Sequence, residues 1–325
     1  MILTLTPEHQ AQLNALRQLV DEGRYDEARE QAEGLLAQTQ ETALKVALCR
    51  LLAEVETDRG KLREALGHLT KALGALDTED DPSARAEVYI ALGLTYVALH
   101  LLPMAGWHFA EALRLYRALR DGRGMAVALN RLGVVALMEK NFTDARQRFG
   151  ESLRLSEALD DAHLMAGAYV NLGEVARLQG DLDEARACYQ KAGELFAALR
   201  LQRGVIIVEN NLGHVAVAAG DLATARRHYR RAADLGLAVN AVPHMLDTLA
   251  GLALTLIQQG RHQEAAPLLA YVFHHPLLLD ETRDLLESRL DALGGIQAAP
   301  AHALREEAAA LLQRTCGLVF GHARA

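Results

Sequence analysis

Cysteine is scarce in this chain of 325 residues. Cys49, Cys188 and Cys316 are odd in number and far apart, and no CxxC or Cys/His metal spacing occurs. That excludes a disulfide framework and fits buried free thiols in a reducing compartment. Aromatic residues are only 5%, prolines number seven, and the serines are Ser83, Ser152, Ser156 and Ser288. No apolar run approaches the ~18–20 residues of a membrane span. The first residues, Met-Ile-Leu-Thr-Leu-Thr-Pro-Glu, lack the basic segment and apolar core of a signal peptide, so a cytoplasmic location is expected. Strong positive charge is missing too. The net charge of −8 and pI near 5.9 give no general attraction to phosphate backbones, which argues against nucleic acid as a partner. Five of the 34 basic residues are Lys, leaving 29 Arg, a skew read as coding bias. Half the residues are apolar and 23% are charged, which excludes a disordered chain.

Motifs that carry chemistry are missing as well. There is no GxxxxGK[ST] loop, and Gly122-Arg123-Gly124 has neither a preceding strand nor a third glycine. No HExxH helix occurs, and His274-His275 are adjacent, so on a regular element they diverge and hold one metal poorly. No GxSxG elbow frames any serine. Asn141-Phe142-Thr143 matches a glycosylation acceptor but falls in a turn of a chain expected to be cytoplasmic. No catalytic residue, metal site or cofactor is therefore expected, and the chain does not read as an enzyme.

What the sequence has is a repeat. Gly23-Arg-Tyr-Asp-Glu-Ala28 recurs from Gly60, Gly180, Gly220 and Gly260, with degenerate copies from His100 and Lys140. Starts from 60 onward are 40 residues apart, and the first interval is 37. Alanine follows five residues on in every copy, and a ring nine on in four: Phe109, Phe149, Tyr189 and Tyr229. Upstream, Leu-Gly pairs at 92–93, 132–133, 172–173 and 212–213 keep the same phase. Apolar spacing between these markers is helical. The motif glycine suits a helix C-terminus, where positive φ is cheap, and the small residues let two helix backbones approach around the ring. Pro7, Pro82, Pro103, Pro243 and Pro300 fall near expected helix starts. Pro267 lies inside an expected helix, which it should kink or delay.

Asn171-Leu172-Gly173, Gly180-Asp181-Leu182-Asp183-Glu184-Ala185, Tyr189 and Ala192 resemble the tetratricopeptide repeat signature. The common period is ~34. The longer form here is similar to that of kinesin light chains, Pins/LGN-type polarity adaptors and the sensor domains of bacterial regulators such as MalT and the Rap/NprR receptors. The resemblance implies an all-α, right-handed superhelix of seven hairpins, at about 8–40, 44–77, 84–120, 124–160, 164–200, 204–239 and 244–275. Residues 276–325 would be capping helices, with Asp280 as N-cap. The segment His274-His275-Pro276 through Leu293 is similar to a His-Pro…Glu-Thr-Arg segment that closes repeat arrays in large bacterial regulators and adenylate-cyclase-like ATPases.

The same resemblance implies a protein or peptide partner bound in a concave groove lined by the first helix of each repeat. Asn171 and Asn211 precede the Leu-Gly pair, where related arrays hold a peptide backbone, and a primary amide both donates and accepts. Asn210 precedes Asn211, and repeat four offers Asn130 and Arg131. Glu174, Arg177 and His214 follow the Leu-Gly pairs, and Arg50 and Glu54 serve in repeat two. Ile90, Leu94, Val97, Val134, Leu137 and Met138 make an apolar middle. The competing reading is that Asn-Leu-Gly only sets packing and register, and that the apolar set is buried between repeats or serves self-association. Arg226-Arg227-His228-Tyr229-Arg230-Arg231 reads as a solvated outer face, and Asp77-Thr78-Glu79-Asp80-Asp81 as a solvated linker. Other functions kept open are a sensor of a small molecule or signalling peptide and a self-associating scaffold, with a homo-oligomer possible.

Overall fold

The structure, a computed structural model, describes residues 5–21, 23–77, 81–239 and 242–273. All the regular structure among them is helical, with no strand. The helices pair along the chain as α1 (Pro7–Asp21) and α2 (Tyr25–Gln38), α3 (Thr42–Asp58) and α4 (Leu62–Ala75), α5 (Pro82–Ala98) and α6 (Leu102–Leu119), and α7 (Gly122–Met138) and α8 (Phe142–Ala158). They continue as α9 (Ala162–Gln179) and α10 (Leu182–Ala198), α11 (Gln202–Ala218) and α12 (Leu222–Ala238), and α13 (Val242–Gln258) and α14 (His262–Phe273). Two compact units divide the chain, Met1–Leu164 and Met165–Ala325. The expected cap, with Asp280, His274, His275, Pro300 and Cys316, lies outside the described residues.

The 40-residue period has a simple origin. Helices of 17 residues, such as α7 and α8, alternate with three-residue turns. Each is ~25 Å long at 1.5 Å per residue. The first interval is 37 because α2 has 14 residues. Helix α4 also has 14, but a longer connection before Pro82 restores the phase.

Each turn inside a hairpin closes in the same way. The residue after the C-cap is left-handed at Gly23, Gly60, Gly180, Gly220 and Gly260, and also at the degenerate starts His100 (φ 55°) and Lys140 (φ 59°). The following N–H bonds five residues back, as Asn141 N–H does to Ala136 O at 2.8 Å and Arg261 N–H to Leu256 O at 2.9 Å. This double-bonded helix end satisfies carbonyls that would otherwise be orphaned. The next residue often caps the following helix. Asp81, Asp121 and Asp161 accept from the backbone N–H of Ala84, Gly124 and Leu164 at 2.9–3.1 Å. Asn141, Asp181 and Asp221 do the same for α8, α10 and α12 at 3.0–3.2 Å. Asn141 is thus a cap residue. Asp81 corrects the reading of an acidic linker, because it is 2% exposed and holds the start of α5. Pro267 neither ends nor delays α14, which starts at His262 and runs through it.

The hairpins close on the rings. Phe109, Phe149, Tyr189 and Tyr229 are at most 1% exposed. A Cβ on Gly93, Gly133, Gly173 or Gly213 would stand 2.3–2.8 Å from the ring facing it. Only glycine lets the ring lie against the first helix, and this contact sets the distance between the helices of a hairpin. A second set joins successive hairpins: Tyr116 lies on Gly124 and Phe196 on Gly204, at 2.3 and 2.5 Å from the would-be Cβ. Motif alanines from Ala28 to Ala265 are fully buried. Cys49 is buried in the core shared by α3, α4 and α5, where desolvation pushes its thiol pKa up.

Candidate functional site

The face of interest is the part of each first helix that no second helix covers. In unit Met1–Leu164, helices α1, α3 and α5 enclose a cleft of about 480 Å³. That is within the ~300–1,000 Å³ typical of ligand clefts. Leu13, Leu51, Ile90 and Leu94 give it apolar walls, and Arg17, Arg50, Glu54 and Glu87 give it charge. Arg50 is ion-paired with Glu87 across α3 and α5. The sequence places Arg50, Glu54, Ile90 and Leu94 on the groove side, and all four line this cleft. Leu94 is 39% exposed and Met138 40%. Ile90, Val97, Val134 and Leu137 are partly buried. Ile90 and Val97 pack on the core of α5 to α7, so the apolar set serves packing and surface together.

In unit Met165–Ala325 the polar positions form two linked sets. Arg177 donates twice to Glu174, at 2.9 and 2.5 Å, and the Tyr189 hydroxyl donates to the same carboxylate at 2.9 Å. Burial raises the Glu174 pKa, but the bonds from Arg177 and Tyr189 and the His214 charge outweigh it, so the net shift is downward. The same contact raises Arg177 further and, with burial, Tyr189. His214 Nδ1 lies 2.8 Å from the Tyr229 hydroxyl, and its Nε2 lies 3.5 Å from Asp247. Glu174, Arg177 and His214 are thus tied to the core rings.

Glu174 therefore couples stability to pH. Its folded pKa is depressed, so its contribution is complete above the unfolded value of ~4.3. It is lost as pH falls through the folded pKa. Melting temperatures recorded from pH 6 to pH 3 should fall less steeply for Glu174→Gln than for wild type. Parallel curves would remove Glu174 from the acid response.

Asn210 corrects the sequence reading. It is 1% exposed, donates to His244 O at 3.0 Å and accepts from the Thr248 hydroxyl at 2.8 Å. It locks α11 to α13 and does not face a groove. Asn130, Asn171 and Asn211 are partly buried on the first helices. Arg226, Arg227, Arg230 and Arg231 are exposed on α12, with Arg231 paired to Glu209 at 3.0 Å. The sequence reading missed one feature of α6. Leu101, Met104 and Trp107, one helical turn apart, are 48%, 45% and 53% exposed. The equivalent positions of α8 are Asn141, Asp144 and Gln147.

Among the described residues no helix is long and apolar enough to cross a membrane. None of their His, Cys, Asp and Glu side chains form a group of three or more able to hold a metal ion.

Residues 123–272 match the family model of the MalT-like TPR region. No curated protein sequence matches the chain. Among solved structures it is similar to a Rap protein complexed with competence and sporulation factor, at 16% identity, TM-score 0.65, over 96% of this chain and 99% of that one. It is similar to NprR in complex with its cognate peptide NprX, at 13% identity, TM-score 0.61, over 93% and 89%. A third is a signal-transduction ATPase with a tetratricopeptide repeat sensor from Pyrococcus horikoshii, at 18% identity and TM-score 0.61. That match covers 88% of this chain and 43% of the other. Identities this low carry the fold alone. The 40-residue hairpins, the ring-on-glycine contacts and these matches agree: the chain has the tetratricopeptide-repeat fold, and within it residues 123–272 match the MalT-like TPR region.

Proposed function

We propose that the chain is a non-enzymatic, cytoplasmic interaction module that takes up a peptide or protein segment on the uncovered face of its first helices, as a regulatory or signalling adaptor. The observation that carries this reading is the cleft between α1, α3 and α5, with apolar walls beside charged groups. An apolar side chain of the partner would enter it, and polar groups around it would fix the segment's direction. The partial exposure of Asn171 and Asn211 keeps them as backbone-binding candidates. The array of seven hairpins over residues 1–275 with a cap over 276–325 belongs to the same reading. Support for a peptide ligand comes from the folds of the Rap and NprR complexes, whose ligands are those proteins' own.

The test is affinity capture from host lysate with mass spectrometry, comparing wild type with Ile90→Asp/Leu94→Asp. A protein held by wild type and lost by the variant supports the cleft. Equal recovery by both sinks it. Arg177→Ala is a poor probe, because it strips Glu174 of two hydrogen bonds and disturbs stability.

A second reading, self-association, rests on the exposed Leu101 at the N-cap of α6 and the exposed Met104 and Trp107 within it. Light scattering across concentration should then give a mass that rises for wild type and stays at one chain for Trp107→Glu.

A further inference from the structure

The cleft residues occupy fixed positions in the repeat. Ala47, Arg50, Leu51 and Glu54 of α3 line it, and so do Glu87, Ile90, Ala91 and Leu94 of α5, each 40 residues later. Another step of 40 gives Val127, Asn130, Arg131 and Val134 on α7. Arg131 therefore stands where the two preceding repeats carry Leu51 and Ala91. Its helix neighbours at i−4, i+3 and i+7 are Val127, Val134 and Met138, an apolar stripe that is partly exposed.

Arg131 is partly buried, and among the described residues it makes no hydrogen bond, ion pair or ring contact. Arg50 and Arg177, on the same face of other first helices, are paired with Glu87 and Glu174. Burial alone holds the Arg131 guanidinium below its ordinary pKa, with no opposing contribution from an anion. A guanidinium removed from water without a partner is unfavourable. Its planar fork fits a carboxylate through two parallel hydrogen bonds.

We infer that the segment bound on the first-helix face of this unit presents a carboxylate to Arg131, with an apolar side chain running beside it towards Ile90 and Leu94. The inference rests on the groove reading above and names the chemistry of its ligand. A single carboxylate suits the site better than a phosphate dianion. The cleft on the same face carries three carboxylates, Glu54, Asp58 and Glu87, against two guanidiniums, Arg17 and Arg50, so a second added negative charge is opposed.

The experiment uses the full chain and positional-scanning hexapeptide mixtures in which each position is fixed as Glu or as Gln. Binding is read by fluorescence anisotropy at pH 7. At one position the Glu mixture should bind wild type about 10-fold more tightly than the Gln mixture, the size of a charge-assisted hydrogen bond. Arg131→Met should lose that preference, and Arg131→Lys should keep part of it. Without ligand, the Met variant should melt no lower than wild type, since no internal partner is lost. Mixtures that bind without acid preference, or a preference that survives in Arg131→Met, overturn the inference and leave the groove reading standing. A lower melt for the Met variant also overturns it, by revealing an internal partner. Failure of every mixture to bind overturns both.

Discussion

Replacing Tyr229 with alanine is expected to remove about 3–5 kcal/mol of stability, the cost of deleting a fully buried ring. Tyr229 is 0% exposed and lies on two glycines at once. A Cβ on Gly213 would stand 2.5 Å from the ring, and one on Gly251 2.3 Å. The ring therefore fills the junction of α11, α12 and α13. Its hydroxyl, 2.8 Å from His214 Nδ1, adds a part-buried hydrogen bond. In a repeat array each unit touches only its neighbours, so the loss should fall on residues of these helices. Hydrogen exchange should show their amides opening, while amides of α3 and α4 keep their protection. Tyr229→Phe separates the two contributions. It keeps the ring and loses only the hydroxyl bond, for about 1 kcal/mol. Gly251→Ala should destabilise by about 1–3 kcal/mol from the opposite direction, by overfilling the junction. A Tyr229→Ala protein that melts with wild type would show that helix spacing here does not depend on the ring.

The rings and glycines explain why the fold is so legible in the sequence. Phe149 and Gly133 are 16 residues apart, yet each is required by the other. A residue type forced by close approach repeats wherever the contact repeats. The second ring set, Tyr116 on Gly124 and Phe196 on Gly204, occurs at two junctions, and two instances give no period to read. The turns between hairpins were hidden for a different reason. Their left-handed residues are Arg120, Asp160 and Arg200, so no glycine marks them. The site is less legible because it depends on which polar groups meet. Spacing puts Glu174, Arg177 and His214 on first helices, but not that Tyr189 and Tyr229 reach them. Nor does it reveal that Asn210, one residue from Asn211, turns inward to His244 and Thr248. Arg131 emerges only when its neighbours are known, because the absence of a partner leaves no pattern in the chain.

The unmarked turns lead to a stabilising substitution. Asp160 is exposed at φ 52°, and Asp161 N–H beside it bonds Ser156 O at 3.0 Å to close the end of α8. Left-handed backbone costs a non-glycine residue about 1 kcal/mol, less for Asp than for most. A negative charge beside the partial negative end of a helix adds about 0.3–1 kcal/mol more. Asp160→Gly relieves both, against a loss of about 0.4–1 kcal/mol from the freer unfolded chain. The net gain should be about 0.5 kcal/mol, and it should shrink in high salt as the charge contribution is screened. Arg120→Gly and Arg200→Gly relieve the same backbone strain, at φ 55° and 57°, but surrender a favourable charge at the helix end. They should be close to neutral at low salt and become stabilising as salt rises. The opposite salt trends separate backbone geometry from electrostatics at one position of the repeat. Thermal melts of the three variants at 20 mM and 500 mM salt make the comparison. Parallel salt responses would mean that the helix-end charges have no influence, leaving left-handed geometry alone to govern these turns.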